Sequence, residues 1–224
     1  MILIRKNREP EEWMRYRMTP GVDYQPIPEL VKSLLVEQGY ICAYCMRRIP
    51  HKDKLYKKNG QNYVLTDEDH RVEHMKSREL HDDLKLNYNN MVVCCPGHIG
   101  DEDHCDRLKG SKDISFSPTN QHFIDTISYQ TDGTICSSNQ TYDSEMNNIL
   151  NLNTKLLKQN RKQARDSVIT QITVMSKTSG WNKNALNLIL SKYENMHNDN
   201  GNLIYYPYCG IITWYIKKKL SRLP

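Results

Sequence analysis

Long apolar runs are missing from this sequence, and no stretch approaches the roughly 18 residues of a membrane-spanning helix. The first residues, Met1-Ile-Leu-Ile-Arg-Lys, lack the pattern of a secretory signal peptide. Internal repeats and low-complexity tracts are missing too, which argues against a solenoid or an extended linker. We therefore expect a cytoplasmic protein with no membrane partner.

Apolar residues are scarce as well, at 38% of the chain with a mean hydropathy of −0.74. A length of 224 residues leaves room for one large or two small domains. This composition is low for one large core, so it favours a small metal-supported unit with added helices, or a surface that needs a partner. The net charge of +5 is a mild basic bias, compatible with an anionic partner.

A disulfide framework is also not supported. The seven cysteines are odd in number, and five of them cluster with histidines between Ile41 and Gly110. This clustering favours metal ligation in a reducing compartment.

Two cysteine pairs in that cluster predict a structural zinc site. Cys42 and Cys45 form a Cys-x-x-Cys knuckle, and Cys95 with Cys105 is the expected second pair. Two such pairs can converge on one tetrahedral Zn²⁺ and stabilise the fold. The alternative ligands for the second pair are Cys94, His98 and His104. A competing interpretation is that the cysteines are buried small hydrophobic residues.

Three regions can be separated: an N-terminal segment with a helix (1–40), the metal-binding block (41–117), and a hairpin with a mainly helical region (118–224). The elements predicted from local patterns are a helix at Ile27–Glu37, a hairpin or exposed loop at Lys52–Asp69, strands at Arg71–His74 and Met91–Cys94, a helical turn at Cys105–Lys109, a hairpin around Asp132-Gly133, and helices at Asp143–Lys177 and Asn184–Met196. The apolar run within Gly210–Leu220 either completes the core or docks a partner.

Glu73 and His74 are the first candidates for chemistry. Neighbouring strand residues point to opposite faces, but at a strand end the two side chains can converge on one site. A histidine with a pKa near its ordinary value of about 6.5 can take a proton from water at neutral pH. A surface pair in a charged loop is the alternative interpretation.

Further candidates follow along the block. Asn90 precedes an apolar strand, where its amide can hold a neighbouring loop or imidazole. Asp106 begins a helix, where it can cap the helix or serve as a hard oxygen ligand for Mg²⁺. Arg107 and Lys109 can contact a phosphate backbone or simply solvate the helix.

The order Cys-x-x-Cys, Glu-His, Asn before an apolar run ending in Cys, then Cys-Asp-x-x-Lys-Gly resembles the HNH (ββα-metal) endonuclease family. The resemblance implies an α+β fold with a zinc-supported ββα-metal core and flanking α-helices. It implies that His74 is the general base, that Asn90 orients this histidine or its loop, and that Asp106 is the third signature residue. It also implies that Glu73 and Asp106 hold a catalytic Mg²⁺ or Mn²⁺.

A closer resemblance is to the PtuB family, the HNH proteins of Septu-type antiphage systems, which also occur beside bacterial retrons. It rests on Glu37–Met46, Val72–His74, Cys95–Gly97, Cys105–Gly110, Asp132-Gly133, Ile149–Asn153, Leu156-Leu157 and Arg161. The resemblance covers roughly residues 1–165. It implies a PtuA-like ABC-type ATPase as partner, and a retron reverse transcriptase with its msDNA as a further expected partner.

The expected function is cleavage of phosphodiester bonds in DNA or RNA, with Lys76, Arg78, Arg107 and Lys109 as candidate nucleic-acid contacts. The alternative is a catalytically inactive, zinc-stabilised subunit that binds nucleic acid or acts as an adaptor. A basic stripe on one face of the predicted helix, formed by Lys155, Lys158, Lys162 and Arg165, suits either function.

Overall fold

A computed structural model describes the chain at residues 1–50, 56–58, 61–63, 69–99, 102–175 and 181–223. Within those ranges the fold is mixed α+β, with eight α-helices and five small antiparallel two-stranded sheets. The helices are α1 (Glu11–Arg17), α2 (Pro28–Glu37), α3 (Asp106–Lys109), α4 (Gln121–Asp125), α5 (Gln140–Asn148), α6 (Lys155–Met175), α7 (Lys183–Glu194) and α8 (Cys209–Leu220). The strands are β1 (Tyr56–Lys58), β2 (Gln61–Tyr63), β3 (Arg71–His74), β4 (Met91–Cys94), β5 (His98–Ile99), β6 (Glu102–Asp103), β7 (Ile127–Tyr129), β8 (Ile135–Ser137), β9 (His197–Asp199) and β10 (Asn202–Ile204).

The β3–β4 pair lies at the centre of the metal-binding block. Its register sets Glu73 opposite Val92 and His74 opposite Met91. All four residues of β4 are buried, which explains why its sequence is continuously apolar, whereas only the last two residues of β3 are buried. The short helix α3 follows these strands in sequence. The predicted strands and helical turn are therefore confirmed.

The predicted helix at Ile27–Glu37 is confirmed as α2. Proline suits its first turn because the amide hydrogen that proline lacks would have no helical acceptor there. Gln38, just after α2, is buried and fixes the helix to β4. Its amide nitrogen donates to the carbonyl oxygen of Val93 at 2.8 Å, and its amide oxygen accepts from Val93 N at 2.6 Å.

The single helix predicted for Asp143–Lys177 is wrong, because α5 ends at Asn148 and α6 begins at Lys155. Tertiary hydrogen bonds replace helical ones in the gap between the two helices. The carbonyl oxygen of Leu150 accepts from Cys105 N at 2.8 Å. The Asn153 side chain accepts from Ile135 N and donates to Ile135 O, both at 2.9 Å. The break thus joins the cysteine cluster to the β7–β8 hairpin.

The hairpin predicted around Asp132-Gly133 is confirmed as β7–β8, and the helix predicted at Asn184–Met196 is confirmed as α7. The apolar run of α8 lies in the core, with Ile211, Ile212 and Ile216 buried. These isoleucines therefore help to complete the core, and docking of a partner by this segment stays a prediction. Helix α1 and the β9–β10 hairpin were not predicted.

The hairpin or exposed loop predicted at Lys52–Asp69 lies mostly outside the described residues, apart from the antiparallel pair β1–β2. None of the described helices combines the length and the apolar content that a membrane crossing needs.

Candidate functional site

Four buried cysteines converge from three parts of the chain. The Sγ atoms of Cys42, Cys45, Cys95 and Cys105 all lie within 4.8 Å of one another. The Cys42–Cys105 sulfur distance is 3.8 Å and the Cys45–Cys95 distance is 3.6 Å. Zn²⁺ with Zn–S bonds of about 2.3 Å has sulfur–sulfur edges of about 3.8 Å in a regular tetrahedron. The four thiols therefore have the spacing and the donor chemistry to hold a zinc ion.

Backbone geometry brings these sulfurs together. The first knuckle closes as a tight turn, with Cys42 N donating to Arg47 O at 2.9 Å and Met46 N donating to Cys42 O at 3.1 Å. Cys105 has a φ of +54°, a left-handed conformation that a non-glycine residue rarely adopts. This strained residue is held by the hydrogen bond from its amide to the carbonyl of Leu150.

None of the alternative zinc ligands belongs to the four-sulfur group, although His104 and Cys94 lie next to it. His98 is exposed and its Nδ1 lies 2.8 Å from Asp103 Oδ1. His104 is fully buried and its Nδ1 lies 3.1 Å from the sulfur of Cys105, beside the group. Cys94 is buried on β4 but does not belong to the four-sulfur group. The predicted set of Cys42, Cys45, Cys95 and Cys105 is the one that the fold brings together.

Glu73 is held beside this cluster by two donors. Its Oε1 atom accepts a hydrogen bond from the Tyr44 hydroxyl at 3.0 Å and lies 2.9 Å from Lys109 Nζ. Burial raises the pKa of the Glu73 carboxyl well above its usual value, the nearby Asp106 carboxylate raises this pKa further, and Lys109 opposes both effects. Two carboxylates are thus placed close together in a poorly solvated site.

His74 ends β3, and its ring is held by the backbone of a neighbouring loop. Its Nε2 lies 2.9 Å from the carbonyl oxygen of Lys85. Because a carbonyl only accepts, Nε2 carries the hydrogen and Nδ1 keeps the lone pair. The Tyr24 ring packs edge-on against the imidazole, with ring centroids 4.6 Å apart. Burial lowers the pKa of His74 to about 4, below the ordinary value of about 6.5 expected from the sequence, so the ring is neutral at pH 7.

Asn90 clamps the chain just after His74. Its Oδ1 accepts from Lys76 N at 2.8 Å, and its Nδ2 donates to Lys76 O at 2.9 Å and to Leu84 O at 3.3 Å. The amide therefore holds the loop that follows β3, one of the two positions that the sequence suggested for its contacts.

Glu73, His74 and Asp106 line one cleft of about 890 Å³. Asp106 begins α3 and lies 3.8 Å from the guanidinium of Arg71, with its side chain 19% exposed. Tyr24 and Arg78 also line this cleft. Although adjacent strand residues normally point apart, the end of β3 presents both Glu73 and His74 to the same cavity.

The four candidate nucleic-acid contacts have different environments. Arg78 and Arg107 are exposed and line the cleft; Arg78 covers the Tyr24 ring at 4.6 Å, and Arg107 lies 3.0 Å from Asp103. Lys76 donates to Ile114 O at 3.1 Å from a partly exposed side chain.

Lys109 requires a correction, since it was expected at the helix surface. It is 1% exposed and donates to the carbonyl oxygen of His74 at 3.0 Å besides pairing with Glu73. It lies inside the site and cannot act as a surface contact for a phosphate backbone in this conformation.

The expected basic stripe on α6 is largely paired. Lys158 lies 3.3 Å from Asp132, while Lys162 and Arg165 both contact Asp166. The sequence pattern therefore predicted more unpaired positive charge on α6 than these three side chains provide.

Sequence reasoning missed Tyr44, Tyr24 and Lys85 O as parts of the site. Tyr44 lies inside the Cys-x-x-Cys knuckle, a position that could have suggested a role near the metal-binding block. Tyr24 and the carbonyl of Lys85 carry no local signal, because their contacts with His74 exist only in the folded chain.

No protein-family model and no curated protein matches this chain.

Proposed function

We propose that this protein is a metal-dependent endonuclease of the HNH (ββα-metal) type, which hydrolyses phosphodiester bonds in DNA or RNA. The observation that carries the proposal is the shared cleft of Glu73 and His74 on β3 and Asp106 on the short helix α3, beside four clustered cysteines. A base, two hard oxygen donors and a structural metal group are the components that such hydrolysis requires.

The donor set fits a divalent cation. Carboxylate oxygens are preferred ligands of Mg²⁺, and Glu73 and Asp106 are close enough for Asp106 to raise the pKa of Glu73. A cation between them would offset that repulsion. When bound, Mg²⁺ or Mn²⁺ would polarise the scissile phosphate and stabilise the leaving oxygen.

His74 supplies the base. The Lys85 carbonyl holds Nε2, so the Nδ1 lone pair is the one available to take a proton from water. Tyr24 restricts rotation of the ring from the side. Asn90 acts indirectly, because it fixes the backbone of Lys76, two residues after His74.

Arg78 and Arg107, which are exposed, line the cleft together with Arg71 and Lys85 and suit contacts with the phosphate backbone. Such contacts position a nucleic acid without reading its sequence, so they suit DNA and RNA equally.

The proposed biological role rests on the resemblance to the PtuB family. In this role the protein is the nuclease effector of a bacterial antiphage complex with a PtuA-like ABC-type ATPase. A retron reverse transcriptase and its msDNA are further proposed partners. The alternative of an inactive binding or adaptor subunit is an outcome of the test below.

The test incubates purified protein with DNA and with RNA, in Mg²⁺ or Mn²⁺, with and without the ATPase. His74→Ala should lower cleavage by about 10²–10⁴-fold, the usual effect of removing a general base, with zinc content unchanged. His122→Ala, an exposed histidine on α4, is the matched control and should cleave normally. Binding without cuts under every condition would identify the adaptor, and equal cleavage by His74→Ala would refute the assigned base.

A further inference from the structure

We propose that Tyr44 and Lys109 are positioning residues through which the cysteine cluster orients the Glu73 carboxylate toward the catalytic cation. The proposal rests on the proposed nuclease function and assigns a role to two residues that make no contact with substrate in that mechanism.

The contacts are directional. Tyr44 Oη and Lys109 Nζ both reach the same oxygen of Glu73, Oε1, at 3.0 Å and 2.9 Å. Two donors on one oxygen fix the rotation of the carboxylate. Neither donor occupies Oε2, and Glu73 with Asp106 would be the residues that hold the cation.

Both donors are anchored to the cysteines. Tyr44 lies between the two cysteines of the first knuckle, Cys42 and Cys45. Lys109 lies one helical turn after Cys105, and its amide donates to Cys105 O at 3.0 Å. Closing the four-sulfur group therefore places both donors relative to β3 at the same time.

Because these side chains are buried, the orientation of Glu73 depends on both donors. Tyr44, Lys109 and Glu73 are 0%, 1% and 3% exposed, so water cannot readily replace a donor that is removed. Lys109 also donates to the carbonyl of His74 at 3.0 Å, which ties the backbone of the base to the same anchor. The cysteine cluster thus has a second role beyond fold stability, because it sets the geometry of the catalytic carboxylate.

The decisive variant is Tyr44→Phe, which removes one hydroxyl and keeps the aromatic packing. Because a hydrogen bond to a charged group is lost, we expect the Mn²⁺ concentration for half-maximal cleavage to rise by about tenfold or more. Saturating Mn²⁺ should restore most of the rate, with zinc content and Tm close to wild type. Tyr142→Phe, a partly buried tyrosine on α5 among Phe116 and Phe123, is the matched control and should leave the requirement unchanged.

A direct measurement of Mn²⁺ binding tests the proposal without a cleavage assay. Mn²⁺ alone is titrated into the zinc-loaded protein and free Mn²⁺ is followed by electron paramagnetic resonance. Glu73→Gln should abolish the high-affinity site and Tyr44→Phe should weaken it by about tenfold or more. Lys109→Met, the more disruptive variant, should weaken it further in the fraction that retains zinc.

The outcomes separate this inference from the proposed function. Wild-type Mn²⁺ affinity in Tyr44→Phe, with Glu73→Gln defective, would overturn the positioning role and leave the nuclease proposal intact. A loss of cleavage in Tyr44→Phe at an unchanged Mn²⁺ requirement would also overturn it. Glu73-dependent Mn²⁺ binding that Tyr44→Phe weakens, in a protein that cuts no nucleic acid, would support the positioning and refute the nuclease.

Discussion

The sulfur of Cys105 lies 3.8 Å from the sulfur of Cys42, although 63 positions separate the two residues in sequence. That contact joins the first knuckle to the start of α3, the helix that begins with Asp106 and ends with Lys109. Cys105, in a left-handed conformation, thereby joins the four-cysteine cluster to the candidate active site.

Removal of one cluster thiol should cost both metal and stability. Cys42→Ser should lower the zinc content to well under one equivalent and reduce the free energy of unfolding by several kcal/mol, since structural zinc binding contributes about 10–16 kcal/mol in small zinc-finger peptides. Metal analysis and thermal melts measure the two effects. Cys136→Ser, a partly exposed cysteine outside the group, should retain zinc. Full zinc occupancy in Cys42→Ser would contradict the assigned ligand set.

Replacing Asn90 should lower stability and cleavage more than replacing its neighbour Asn89. Asn90→Ala leaves the Lys76 amide and carbonyl without their side-chain partner, and we expect a loss of about 1–3 kcal/mol in the free energy of unfolding. Cleavage should fall as well, because the loop after His74 is released. Asn89→Ala, an exposed residue whose side chain makes no described hydrogen bond, is the control. Equal denaturation midpoints and equal rates for both variants would contradict the clamp.

The cleft arginines should act through charge. Arg78→Ala should weaken nucleic-acid binding nearly uniformly across sequences, and should reduce the slope of log K against log salt by about 1. Fluorescence anisotropy at several salt concentrations measures both quantities. Arg222→Ala, an exposed C-terminal cation, should leave the slope unchanged. A base-specific loss for Arg78→Ala would instead indicate direct readout.

Gly133 should tolerate no side chain. It has a φ of +90°, and an added Cβ would lie 2.1 Å from the carbonyl oxygen of Lys158 on α6. Gly201→Ala is the matched control, since it has a similar φ of +84° and open space around it. Both variants lose the left-handed freedom of glycine, at roughly 1–2 kcal/mol, but only Gly133→Ala also forces α6 to move. Chemical denaturation should show the larger loss for Gly133→Ala, and similar losses would contradict the close approach.

Elements with strong local patterns were predictable. Proline near the start of α2, the Asp132-Gly133 turn and the apolar run of β4 are short-range signals that fold as they indicate. The break between α5 and α6 was not predictable from periodicity, because it depends on hydrogen bonds between Asn153 and Ile135 and on the bond from Cys105 N to Leu150 O.

The candidate site was likewise predictable from the sequence only in part. The types of the functional groups were visible in the sequence, since Glu73, His74, Asn90 and Asp106 stand in a recognisable order. The role of Lys109 was misjudged, because a lysine beside an arginine on a short helix resembles a solvated surface. Only its burial and its 2.9 Å distance to Glu73 show that Lys109 forms an ion pair inside the protein.

The sequence by itself determined which chemical groups are available: clustered thiols, a base, hard oxygen donors and cations. Only the tertiary structure decided which four sulfurs meet, how Glu73 is oriented, and which cations face the cleft. The physical reason is that the two kinds of property depend on interactions over different separations along the chain. Donor type and local conformation depend on neighbours in the chain, whereas ligand geometry depends on distances between segments that are brought together by burial.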